Sequence, residues 1–80
     1  MIDDIVTAKD LIKILKSFPE DSPVLISGYD SGYDCFYYPE IRNLVHKPEN
    51  MFRDGEFQVP SSGEISELTA VVLERIRRDD

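Results

Sequence analysis

The sequence predicts an α+β fold: one N-terminal helix packed on a small, mostly antiparallel sheet of three to four strands. Three observations predict it. A capped amphipathic segment opens the chain and stops at Pro19. Short runs of β-branched and aromatic residues follow Cys35, separated by proline, glycine and Asp-Gly breaks. The final apolar run is rich in valine and threonine. With 80 residues the chain has room for one domain, spanning 1–80.

The helix is expected over residues 8–17. Thr7 is a good N-cap, and Asp10 three residues on completes a capping-box-like pair. Val6 and Leu11 stand at the positions of a hydrophobic staple. Leu11, Ile12, Leu15 and Phe18 form one apolar face, with Lys9, Lys13 and Lys16 mostly on the other. Pro19 ends the helix, because the residue before a proline avoids the α region. On this reading Leu15→Ala costs about 2–4 kcal/mol.

Residues 19–23 make a tight connector, and 24–27 a short buried strand. Residues 28–34 read as a loop with a local duplication, Gly-Tyr-Asp at 28–30 and at 32–34. From Cys35 the chain turns β-rich, with Pro39 interrupting the ladder or lying at an edge. Residues 41–46 alternate as a second strand. Residues 47–55 form a loop, with Pro48, Asn50 and the Asp54-Gly55 turn signal. Residues 56–59 are a third strand with Phe57 and Val59 on one face, and 60–63 another break. The last segment supports two readings. Ile65, Leu68, Val72 and Ile76 keep helical spacing, whereas β-branched residues at 69–73 favour a strand from about Leu68 to Ile76. The strand is the preferred reading.

Composition excludes some classes of function. Sixteen acidic against nine basic residues give a net charge of -7, which opposes nonspecific attraction to nucleic acid and to anionic membranes. The acidic doublets Asp3-Asp4, Glu20-Asp21 and Asp79-Asp80 read as solvated surface. The lone cysteine, Cys35, can make neither an internal disulfide nor a cysteine-rich zinc site. Asp3 and Asp4 stand where a signal peptide would need basic and apolar residues. No apolar run approaches the roughly 20 residues that span a bilayer. A cytoplasmic location is expected.

No catalytic motif is present. The only histidine, His46, has no nucleophile placed beside it, and Gly28 and Gly32 lack the remainder of a phosphate-binding loop. Asp30 and Asp34 with Ser31 fall short of a calcium loop and read as turn caps. A non-enzyme without metal or cofactor is expected. The distinctive feature is aromatic concentration: five of the eight aromatics fall between positions 29 and 38. Tyrosine presents a flat apolar face and a hydroxyl at low entropic cost, which suits binding surfaces. The candidate site is therefore Gly28, Tyr29, Asp30, Gly32, Tyr33, Tyr37, Tyr38 and Arg42. The same tyrosines could instead cover a thin core. Arg42, Lys47 and Arg53 supply charge for an anionic ligand.

Thr7-Ala8-Lys9-Asp10-Leu11-Ile12, Leu15, Phe18-Pro19, Asp21, Pro23-Val24 and then Gly-Tyr-Asp-Ser-Gly-Tyr-Asp form a suggestive series. It resembles a family of small uncharacterised phage, prophage and bacterial proteins. Their usual opening looks like T-V-x-E-L-I-x-x-L, then P-x-D-x-P-V, then G-Y-E-G-G-Y-D. The resemblance covers about residues 6–34 and departs at Asp30 and Ser31, where the family often has Glu and Gly. It implies a small α+β fold and a mobile-element origin, and supplies no activity. By analogy with short phage proteins, it points to a binder that inhibits a host process such as defence, in the host cytoplasm. The partner would be a host protein or an anionic nucleotide that the chain sequesters. The alternative is a self-assembling structural or regulatory module. A homo-oligomer is expected in either case, since a thin sheet with one helical face leaves its other face uncovered.

Overall fold

The computed structural model describes residues 4–78. Asp3 and the closing Asp79-Asp80 doublet lie outside the described residues. Among the described residues, one helix precedes five short strands. They are α1 (Ala8–Leu15), β1 (Ile26–Ser27), β2 (Tyr33–Asp34), β3 (Glu40–His46), β4 (Phe57–Gln58) and β5 (Leu68–Val72). β1 and β2 form an antiparallel ribbon, and β3 is the centre of an antiparallel sheet ordered β4-β3-β5. The fold is thus a small α+β fold.

The helix begins as its cap dictates. Thr7 Oγ1 accepts from the Asp10 N–H at 3.1 Å, and Asp10 Oδ2 accepts from the Thr7 N–H at 3.3 Å. Two orphan amides are satisfied reciprocally. Lys16 closes α1, and the chain tightens through Ser17 and Phe18, whose amides reach back to Ile14 and Leu15. Eight residues are too few for a helix to be stable alone. Thr7→Ala should therefore cost about 1 kcal/mol of local helix stability. Faster amide exchange at Asp10 and Leu11, with β3 and β5 unaffected, would report it.

The sheet carries the core. Among the described residues, Leu44 and Val45 are the two buried hydrophobic ones, at 8% and 2% exposure. Pairing of Arg42 with Ala70, Leu44 with Leu68 and His46 with Phe57 puts these side chains on one face. His46 stacks on Phe57, with ring centroids 4.9 Å apart, and its Nε2 lies 2.6 Å from Glu56 Oε2. Ile41, Asn43, Val45, Thr69 and Val71 lie on the opposite face, where the Thr69 hydroxyl donates to Asn43 Oδ1.

The helix stands off from the sheet. Its apolar residues Leu11, Ile12, Ile14 and Leu15 all remain exposed, and α1 buries none of its residues. Ile5, Val6 and Leu11 face Leu44, Phe57 and Ala70 across a cleft of about 850 Å³. The Cα radius of gyration, 14.7 Å, exceeds the roughly 12 Å of a compact chain of this length.

Other expectations shift in detail. Residues 24–27 yield a strand only at Ile26 and Ser27, and Ile26 is only half-buried. Residues 33–34, expected as loop, form β2, because two glycines let the chain reverse tightly enough to pair it with β1. The C-terminal segment is a strand. Leu68, Ala70 and Val72 are half-buried, while Thr69 and Val71 are exposed. That alternation has the period of a strand.

A strap of residues 59–66 crosses the second sheet face at one end, bordering Ile41 and Asn43. Lys47 Nζ donates to Glu64 Oε2 at 2.7 Å, and Glu64 Oε1 accepts from the Ser61 N–H at 3.0 Å. The hydrogen bond to Lys47, helped by the Ser61 amide, lowers the Glu64 pKa. The same hydrogen bond and charge raise that of Lys47. Glu64 has its ordinary value near 4.5 when unfolded, so its contribution holds above that pH and is lost as pH falls through the lower folded value. Lys47 contributes fully below its ordinary 10.5 and loses this as pH rises through the higher folded value. Melting temperature compared between wild type and Lys47→Met should therefore differ most between these limits and converge beyond both. A constant difference across the acid limb would rule out this ion pair as its source.

Candidate functional site

The Gly-Tyr-Asp-Ser-Gly-Tyr-Asp stretch folds into a hairpin. Ser27 pairs with Tyr33 and Ile26 with Asp34, and the Gly28 N–H donates to the Gly32 carbonyl at 2.9 Å. Both glycines are required by the backbone. A Cβ at Gly28 would lie 2.5 Å from the Ser31 carbonyl oxygen, closer than atoms approach. Gly32 has φ of 69°, in the left-handed region that side chains disfavour. The duplication in sequence is thus the chemistry of one tight turn, with a tyrosine after each glycine.

The hairpin is tied to the far end of the chain. Phe36 bridges to Arg75, the Tyr37 N–H donates to the Glu74 carbonyl at 2.8 Å, and the Ile76 N–H donates to the Cys35 carbonyl at 2.9 Å. Arg78 Nε lies 3.1 Å from Asp34 Oδ1. The Arg75 guanidinium lies over the Tyr29 ring, 5.5 Å from its centroid, in cation–π contact.

The tyrosines are not core cover. Tyr29, Tyr33 and Tyr38 are 83%, 74% and 90% exposed, and Tyr37 is 50% exposed. Phe36 between them is half-buried. The structure divides the sequence-predicted residues into two neighbourhoods. Gly28, Tyr29, Asp30, Gly32 and Tyr33 belong to the hairpin. Tyr37, Tyr38 and Arg42 border a depression of about 260 Å³ with Glu40, Val72 and Glu74. Residues 74–76 connect the two, through Glu74 at Arg42 and Arg75 at Tyr29.

Charge at the depression is settled locally. Arg42 lies 2.7 Å from Glu40 Oε2 and 3.6 Å from Glu74 Oε1. One guanidinium serves two carboxylates, so the depression is acidic on balance and poorly suited to a phosphate. Lys47 and Arg53, the other expected anion ligands, stand elsewhere. Lys47 is held by Glu64, and Arg53 lies over the Phe52 ring. Sequence reasoning missed Glu74 and Arg75, because nothing local marks them as partners of residues more than 30 positions away. Cys35 is exposed, and among the described residues no group of three or more His, Cys, Asp or Glu could hold a metal ion. Also among the described residues, no helix is long and apolar enough to cross a membrane.

Comparison with protein-family models, with curated proteins and with solved structures finds no match to this chain.

Proposed function

We propose that this chain is a non-catalytic, phage-related binding protein that inhibits a host process, such as a defence system, by occupying a protein partner. The working surface is formed by Tyr29, Tyr33, Tyr37 and Tyr38. The observation that carries this reading is their exposure: three of the four stand at least 74% free, and the backbone of Tyr33 and of Tyr37 is paired, to Ser27 and to Glu74. The rings of Tyr29 and Tyr33, held out on a braced hairpin, lose little entropy on binding. Aromatic anchors of this kind dominate protein interfaces. The acidic rim of Glu40 and Glu74, with a net charge of -7, steers a basic partner towards them.

A nucleotide ligand is the second reading, and Arg75 over Tyr29 favours it, since a base could stack there beside a cation. Arg42 argues against it, because both of its carboxylate partners would have to yield before it could meet a phosphate. Calorimetry against cyclic and linear nucleotides separates the two. No heat with any nucleotide, together with loss of a phage-protection phenotype in Tyr29→Ala, supports protein binding. Saturable heat abolished by Tyr29→Ala establishes nucleotide binding instead.

A further inference from the structure

The depression of about 260 Å³ is built at one end of the three-stranded sheet. Glu40 pairs with Val72 and Arg42 with Ala70, so Glu40, Arg42 and Val72 share a sheet face. Beyond β5, the Glu74 carbonyl accepts from the Tyr37 N–H at 2.8 Å, which brings Tyr37 and Tyr38 to the same opening. Val72 supplies apolar surface, the tyrosines aromatic surface, and Glu40 and Glu74 two carboxylates.

The charges there are unequally matched. Arg42 Nη2 lies 2.7 Å from Glu40 and 3.6 Å from Glu74, the second beyond hydrogen-bond reach. Among the described residues the Glu74 carboxylate has no other partner. One negative charge with open lone pairs therefore remains, beside two exposed tyrosines. Aromatic faces and carboxylates attract the same species, a cation. The ring quadrupole is negative on its face, and the carboxylate adds a formal charge and a hydrogen-bond acceptor. Size narrows the choice further. Pockets for drug-sized ligands run from roughly 300 to 1,000 Å³, so about 260 Å³ suits a single long side chain rather than a nucleotide.

We propose, on the reading of the tyrosines as a protein-binding surface, that this depression receives a lysine or arginine side chain of the partner. The methylenes of that side chain lie along Val72 and the tyrosines, as long basic side chains do on apolar surface. Its charged head pairs with Glu74, while Arg42 stays with Glu40. Arg42 is thus an internal competitor, which shares Glu74 in the free protein and gives it up in the complex. The net charge of -7 assists the approach of a basic partner.

The test titrates the full, isotopically labelled chain with acetyl-Gly-Lys-Gly-amide and its arginine, norleucine and glutamate counterparts, followed through amide chemical shifts. The basic tripeptides should give saturable shifts at Tyr37, Tyr38 and Glu74 at millimolar concentration, and the norleucine and glutamate peptides none. Glu74→Gln keeps the shape and removes the charge. It should weaken binding of the lysine peptide about fivefold, the order expected of an exposed ion pair. Arg42→Gln removes the competitor and should tighten binding by a similar factor, a gain that damage to the fold would not produce. Equal shifts from the lysine and norleucine peptides overturn the proposal. So do basic-peptide shifts that bypass these three residues, or no shifts at all. These outcomes are read on the unaltered chain, so they hold even if a variant fails to fold. Absent peptide binding, with activity still lost in Tyr33→Ala, removes the pocket and keeps the tyrosine surface. Peptide binding here, with full activity in Tyr29→Ala and Tyr33→Ala, keeps the pocket and removes the hairpin from the surface.

Discussion

Leu44→Ala should lose about 2–4 kcal/mol of folding stability, and Val45→Ala somewhat less. Leu15→Ala should lose under about 1 kcal/mol, since an exposed side chain has little burial to forfeit. A domain of this size has only about 4–12 kcal/mol in total. Leu44→Ala can therefore remove half of what holds the molecule together. The reason is where the core sits. Leu44 and Val45 are adjacent on the central strand and project to opposite faces, so between them they anchor both sides of the sheet. Leu44 shares a face with Leu68, and Val45 lies on the side that the strap crosses. Denaturant melts of the three variants would check this. Equal losses for Leu15→Ala and Leu44→Ala would mean that the helix packs in solution more tightly than its exposure implies.

The contrast between Leu15 and Leu44 marks where the sequence is legible. Thr7 and Asp10 report on one another within a single turn, so the helix start could be read from neighbours alone. Residues 68–72 show the alternation of a strand, and the ambiguity at the C-terminus resolves because Leu68, Ala70 and Val72 line up against β3. How deeply a helix docks is not a local property. The apolar face of α1 is plain in the sequence, yet none of its residues is buried in the structure. β2 was illegible for a related reason. A glycine-rich stretch looks like loop until Gly28 N–H and the Gly32 carbonyl are seen to close it. At the site, the cluster of tyrosines was visible from composition alone. Glu74, the more distant of the two carboxylates at Arg42, and Arg75, which rests on Tyr29, come from the other end of the chain and required the fold.

Tyr29→Ala, Tyr33→Ala and Tyr38→Ala should each leave the melting temperature almost unchanged and each weaken partner binding by about 2 kcal/mol, roughly thirtyfold. The first half follows from exposure: side chains more than 70% free contribute little to folding, and exposed substitutions fall within about 0.5 kcal/mol. Tyr29 adds a contact with Arg75 worth about 0.5–1 kcal/mol at an exposed site, so its variant should melt slightly lower than that of Tyr33. The second half follows from the proposed role as interface anchors. Tyr37 is the informative exception. Its side chain is only half-exposed, so its alanine variant forfeits some buried area and should lose some stability as well as binding. Melting curves with a phage-protection assay would distinguish the outcomes. Loss of activity at unchanged melting in Tyr33→Ala and Tyr38→Ala supports the surface. Full activity in all four variants would move the site away from the tyrosines, leaving them as ordinary solvent-facing residues.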